Sequence, residues 1–296
     1  MKKKLQNLNL NEEVNMIRKL SRTVLKKASP DSEEYSAAKR AIKIPIEYMR
    51  YAEFYALLNS IDLKKDTRIL DIGSPQWFSL ILAVRYPEVQ FVYTNILEGE
   101  ITPFKRIAEL NEIRNISYKI EDVRKLSYPD CSFETVISIS VIEHIYPAKG
   151  GDEKAFIEID RVLKKNGKLL LTIPFKEKGN VLYQKGAVYE RNEQGNNFFA
   201  REYDRKSFEK LLAQSKFDLE KKFFISEKQG LLSLDYCLWG EGRGKLKSKI
   251  MLFAYKVFER ITPFSLEEKL ARKYLVVSEK IQERVVNMAA ILKSVE

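Results

Sequence analysis

Hydrophobic residues in the middle of this chain gather into short runs, separated by stretches in which apolar positions recur every three or four residues. Runs at 68–72, 90–94, 116–120, 135–140 and 168–173 have the length of strands, and the segments between them at 77–86, 102–111 and 152–165 have a helical period. The last of these helices repeats Phe156, Ile159 and Leu163 on one face. Pro87 stops the first helix, Asn166 and Gly167 read as a C-cap pair for the third, and Pro174 closes the fifth strand. Short strands alternating with such helices predict crossover units and a parallel sheet.

The flanks read differently. Residues 11–59 carry a helical pattern, with Pro30 and Asp31 opening a second segment and Pro45 a third. A polar segment, 176–197, is followed by a helix at 205–215 and a strand at 217–225. Two readings of the remainder stay open. In one, the apolar run 287–293 is a final antiparallel strand and 227–286 is a helical insertion; in the other, 231–239 is that strand and the rest is a helical tail. The sequence NMAAILKS, which ends in the manner of a closing strand, favours the first. The expected division is a helical extension at 1–47, a core at 48–225 and a basic helical insertion or cap at 226–296 containing the last strand.

Charge adds to this picture. The formal net charge is +11, yet residues 51–225 hold 27 Lys and Arg against 26 Asp and Glu. The excess lies in residues 1–50, with 12 against 6, and residues 226–296, with 13 against 9. Basic flanks around a neutral core suggest contact with something anionic, or else solvated helix faces. The two cysteines, Cys131 and Cys237, have no CxxC spacing, so neither a disulfide framework nor a metal site is expected. The basic N-terminus lacks an apolar stretch behind it, and the greasy run 250–255 is far shorter than the roughly 20 residues of a membrane span. Cytoplasmic placement is the resulting expectation.

Three motifs carry chemistry: RILDIGS at 68–74, EDVRKLSYPDCSFETVISISVIEHI at 121–145 and RVLKKNGKLLLTIPF at 161–175. In this order and spacing they resemble the class I S-adenosylmethionine-dependent methyltransferases, over roughly residues 48–225. The wording of the middle block is similar to the small-molecule and lipid-quinone branch. The resemblance implies a Rossmann-like, doubly wound, mostly parallel seven-stranded sheet, with S-adenosylmethionine as cofactor.

It also implies roles by position. Asp71 would accept from the cofactor's ammonium or a bridging water, Gly73 would let the backbone pass close to the ligand, and Asp122 and Val123 would meet the adenine. Ser74 and Ser138 complete the implied cofactor contacts. Two departures stand out. Pro75 and Trp77 occupy positions where the family turn commonly has glycine, leaving Gln76 as a possible substitute donor, and Asn95 stands where a ribose-binding acid is expected. An amide can still bond two hydroxyls, without the charge assistance of a carboxylate. His144, the one histidine in the chain, sits past the fourth strand, where it could act as a general base or merely orient the start of the next helix.

On the acceptor side, Arg201 and Tyr203 in AREYDR could bind an anionic substrate or simply open a helix capped by Asp204. Leu246, Ile250, Phe253 and Val257 form one helical stripe flanked by Lys249, Lys256 and Arg260, which suits an anionic membrane, a lipid-linked substrate or the protein's own core.

A nicotinamide dehydrogenase is disfavoured because SPQWFS supplies no GxGxxG after the first strand. A base-specific amino-methyltransferase would carry an acid or amide followed by two prolines and an aromatic where this chain has SISVIEH. The favoured expectation is methylation of a small-molecule, sugar or lipid-linked acceptor, on oxygen, with peripheral membrane contact possible. An RNA methyltransferase, or a non-catalytic binding protein on the same fold, remains the alternative.

Overall fold

A computed structural model describes residues 8–189, 195–228, 230, 246–262, 265–282 and 284–295. The chain divides into two compact units, one of Met1–Ser60 with Phe223–Val286, the other of Ile61–Lys222 with Asn287–Glu296.

The second unit holds the parallel sheet. Its strands are β1 (Arg68–Ile72), β2 (Gln90–Asn95), β3 (Ile116–Ile120), β4 (Phe133–Ile139) and β5 (Leu163–Pro174), joined through helices α4 (Gln76–Arg85), α5 (Glu98–Leu110) and α6 (Gly151–Val162). β1 and β4 are buried almost throughout because helices cover a parallel sheet on both faces, so they read as continuous apolar runs. After α7 (Arg205–Ala213) come β8 (Phe217–Glu227) and, late in the chain, β10 (Arg284–Ser294). The spatial order is β3-β2-β1-β4-β5-β10-β8. β10 runs antiparallel to β5, with Asn287 opposite Pro174 and Lys293 opposite Lys168. The closing strand is therefore the 287–293 run; the rival candidate at 231–239 lies outside the described residues.

Two local expectations are corrected. α6 ends at Val162, so Asn166 and Gly167 are not its cap; they lie within β5, Asn166 at φ +63°, where the register against β4 shifts. A Cβ on Gly167 would stand 2.7 Å from the Lys164 carbonyl, so the kink requires glycine. The polar segment after β5 contains an antiparallel hairpin, β6 (Asn180–Lys185) with β7 (Asn196–Glu202). Its first strand is mostly solvent-exposed and so lacks the apolar alternation that marks a half-buried strand.

In the first unit, α1 (Asn11–Lys27), α2 (Glu33–Lys43) and α3 (Tyr48–Leu58) accompany α8 (Leu246–Ile261), α9 (Leu266–Tyr274) and β9 (Leu275–Ser278). β9 pairs with the Phe224–Glu227 end of β8, an eighth strand beyond the expected seven. Val14, Ile17, Leu20 and Val24 bury one face of α1 at helical spacing. Buried polar contacts tie α3 to the later segment. Tyr51 Oη accepts from Arg272 Nη2 at 2.9 Å, and Tyr48 Oη donates to Glu227 Oε1 at 2.8 Å. α3 falls within this compact unit.

Candidate functional site

The strand order reverses direction between β1 and β4, and an open α/β sheet binds ligands at the carboxyl edge of such a switch point. β1 delivers Asp71 and a tight turn to that edge. The Gly73 amide donates to the Thr94 carbonyl at 2.7 Å, which holds Gly73 at φ +61°, a conformation that favours glycine. A Cβ there would lie 3.5 Å from Val141 and 3.7 Å from Asn95 Nδ2. The Gly73 turn, the end of β2 and the loop after β4 thus bound one crevice.

Asp71 is buried, and both carboxyl oxygens serve the turn: Oδ1 accepts from the Ser74 amide at 3.1 Å and Oδ2 from Ser79 Oγ. Burial pushes its pKa up to about 6, against the pull of the hydrogen bonds from Ser79 and Ser74. Ser74 Oγ accepts from the Ile139 amide at 3.0 Å and stitches the turn to β4. Asp71 and Ser74 therefore shape the crevice from inside its wall. Pro75 is the N-cap of α4, so its missing amide deprives no intrahelical bond, and the first-turn amides of α4 lie beside the Gly73 turn. Gln76 Nε2 donates instead to Glu100, to the carbonyl at 2.9 Å and the carboxylate at 3.2 Å. Trp77 packs edge-on against Phe104 of α5 at 5.3 Å.

Asn95 Oδ1 accepts from the Leu97 amide at 3.0 Å, a local turn that starts the connection to α5. The Asn95 carbonyl accepts from the Glu121 amide at 3.1 Å, which brings the 121–123 segment alongside. There Asp122 is bonded by Arg124 through its amide, Nε and Nη2 at 2.7 to 3.0 Å. Burial opposes ionisation of Asp122, but these Arg124 bonds outweigh it and hold the carboxyl below its ordinary range. Arg124 also donates to the Tyr146 carbonyl at 2.7 Å, linking this segment to the loop after β4. Val123 is buried; Ser138 is buried within β4, and its Oγ has no hydrogen-bond partner among the described residues.

His144 ends a short 3-10 turn, Ile142–His144. Its Nδ1 lies 2.7 Å from the Phe199 carbonyl, and a carbonyl can only accept, so Nδ1 carries a proton. Nε2 faces Glu143 Oε1 at 3.7 Å, and the rings of Tyr189 and Phe199 pack at 5.1 Å. Phe199 thus holds Nδ1, while Nε2 is turned to Glu143.

Arg201 and Tyr203 stand deeper. Arg201 donates to the carbonyls of Glu143, Ile145, Pro147 and Ala148 and pairs with Asp152 at 3.3 Å. Tyr203 donates to Asp152 Oδ2 at 2.8 Å, and burial raises its phenol well above the ordinary value. Both groups are committed to the wall that carries His144 rather than to the opening. Sequence reasoning missed Arg124, Tyr189 and Phe199; the last two stand on or beside the hairpin that had read as a polar segment. Among the described residues, no cluster of His, Cys, Asp or Glu is arranged to hold a metal ion.

Residues 70–171, spanning the Asp71 turn, the Asp122 segment and His144, match the family profile described as a methyltransferase domain. That match to a methyltransferase domain covers about a third of the chain. A methyltransferase of Encephalitozoon cuniculi is 44% identical over 52 residues, which are 18% of this chain and 24% of that protein. The match thus spans about a quarter of the length of that curated relative. Among solved structures, a Bacillus halodurans methyltransferase superposes with a TM-score of 0.51 at 16% identity, covering 81% of this chain and 98% of its own. The [4+2]-cyclase SpnF superposes with a TM-score of 0.51 at 14% identity, covering 98% and 96%. At such identities the likeness is one of fold. The methyltransferase domain has the elements an S-adenosylmethionine site needs: a glycine turn open to close approach, helix-terminal amides and an amide side chain at the end of β2. The poorest fit is Asp122, whose carboxylate is already occupied by Arg124.

Proposed function

We propose that the protein transfers a methyl group from S-adenosylmethionine to an oxygen of a small-molecule, sugar or lipid-linked acceptor. The observation that carries this reading is the meeting of Gly73, Asn95 and Val141 at the carboxyl edge of the switch point. The cofactor would supply a methyl group on a sulfonium, already activated for displacement. The protein's part is then to position and to handle a proton. The Gly73 turn and the first turn of α4 would receive the amino-acid end, Asn95 the ribose hydroxyls, and Asp122 with Val123 the base. His144, with Nε2 unprotonated, would take the proton of an acceptor hydroxyl while Nδ1 stays fixed on Phe199.

Titration calorimetry with S-adenosylmethionine and with its demethylated product tests the reading directly. Saturable heat with both supports it. No heat with either would leave a fold-retaining binding protein, a second reading favoured by the occupied Asp122 carboxylate. Asn95 offers a finer check. Asn95→Asp keeps the acceptor for the Leu97 amide and gives the ribose a charged partner, so it should bind the cofactor as tightly as wild type or a few-fold more tightly. A large loss in that calorimetric titration would remove Asn95 from the ribose site.

A further inference from the structure

On α8, Leu246, Ile250, Phe253 and Val257 are 73%, 59%, 71% and 41% exposed. Their spacing keeps them in one narrow stripe along a helix of about 24 Å. Lys249 and Lys256 are also exposed and fall together on one flank of the stripe. The opposite face is the anchored one. Ser248 is buried there, and Tyr255 Oη donates at 2.8 Å to Glu267 Oε1, a carboxylate whose other oxygen accepts from the Tyr48 amide at 2.6 Å. A surface helix ordinarily buries its apolar stripe and shows its polar face. α8 has apolar residues on its anchored side as well, with Met251 and Leu252 half-buried there, yet it leaves this second apolar stripe uncovered. The side chains of Lys247 and of residues 258–261, including Arg260, lie outside the described residues.

We propose that α8 is a docking surface for anionic lipid. The stripe enters the boundary between headgroups and acyl chains, and Lys249 and Lys256 sit at the level of the phosphates, where each cation adds to binding. Charge decides the occupant. Two copies of this chain placed stripe to stripe would bring lysine flanks together on molecules of formal net charge +11, whereas an anionic membrane offers the opposite charge along the whole flank. The inference goes beyond methyl transfer and does not depend on it.

Co-sedimentation with vesicles tests it. The full chain should pellet with phosphatidylcholine vesicles containing phosphatidylglycerol, fail to pellet with phosphatidylcholine alone, and be released as salt rises. Phe253→Ser should weaken the anionic-vesicle interaction by roughly tenfold or more, since a buried phenyl ring is worth about 1.5–3 kcal/mol. Lys249→Gln with Lys256→Gln should weaken it about 25-fold and flatten the salt dependence, at about 1 kcal/mol for each lysine. The altered side chains are exposed, so thermal unfolding should be unchanged in each variant; Ile250→Ser examines the same stripe should Phe253→Ser unfold. Failure of wild type to pellet at low salt, or equal pelleting of wild type and Phe253→Ser, would overturn the proposal. So would concentration-dependent dimerisation abolished by Phe253→Ser, which would make a second copy the occupant. Vesicle binding by a protein that shows no heat with S-adenosylmethionine would overturn methyl transfer and leave this inference intact.

Discussion

At pH 8 the Asp71→Asn protein is expected to resist urea better than wild type and yet to bind S-adenosylmethionine less tightly. The Asp71 carboxyl is buried, with a pKa raised from 3.8 to about 6, so holding it ionised in the folded state costs roughly 3 kcal/mol. The sign follows from the direction of the shift. Because the folded pKa is the higher one, the stabilising contribution of the protonated group is complete below about pH 4 and lost as pH rises through about 6. Asparagine has the same shape, can accept from the Ser74 amide and can donate to Ser79 Oγ, and it carries no charge to desolvate. Its advantage over wild type should therefore be near zero at pH 4 and approach about 3 kcal/mol at pH 8. An advantage of equal size at both pH values would show that charge burial is not its source. Removing a negative charge beside a cationic ligand should cost about tenfold in affinity, about 1.4 kcal/mol, measured by calorimetry at pH 8. Asp71→Ala, which leaves the Ser74 amide without its acceptor, should lose stability at both pH values.

Arg201→Ala is expected to be the most damaging single substitution in the second unit, destabilising it by about 3–5 kcal/mol in urea unfolding. One guanidinium holds four carbonyls of the 143–148 segment and the Asp152 carboxylate, all away from bulk water. Truncation strands all of them at once and leaves Asp152 with the Tyr203 hydroxyl as its remaining partner in this group. Lysine keeps the charge but not the planar fork, so Arg201→Lys should recover less than half of the loss. Both variants should also loosen His144, whose segment Arg201 clamps, and the fall in methyl transfer should exceed the fall in cofactor affinity. A loss of stability below about 1 kcal/mol in Arg201→Ala would show that the clamp is dispensable.

The central parallel strands β1 and β4 were legible because burial on both faces leaves a continuous apolar run, bracketed by turn residues. The Asp71–Gly73 turn was legible for a related reason, since φ +61° favours glycine where the chain turns at the sheet edge. The hairpin of β6 and β7 was not, because the exposed β6 carries no periodic signal; with it went Phe199, which fixes the proton on His144 Nδ1. Arg201 illustrates another limit. A cation next to an aromatic residue reads as a substrate contact in one dimension, and only three dimensions reveal the ring of backbone carbonyls around it. Gln76 and Asp122 were assigned by position, while the partners that occupy them, Glu100 and Arg124, depend on side-chain reach that spacing alone does not encode. Likewise, the outward aspect of the α8 stripe could not be told from an inward one by its period, which is the same in both cases.

The place of β10 has a consequence for synthesis. This strand is made after both of its neighbours, β5 and β8, yet it lies between them in the finished sheet. Until residues 287–293 emerge, the edges of β5 and β8 have no strand between them, and both present unpaired backbone to any other nascent polypeptide nearby. The ligand-bearing strands can thus assemble early, but the sheet closes only once residues 287–293 have been made. A chain stalled before residue 287 would carry an opening in the interior of the sheet, and such chains should be markedly more prone to aggregation than those that lack an edge strand.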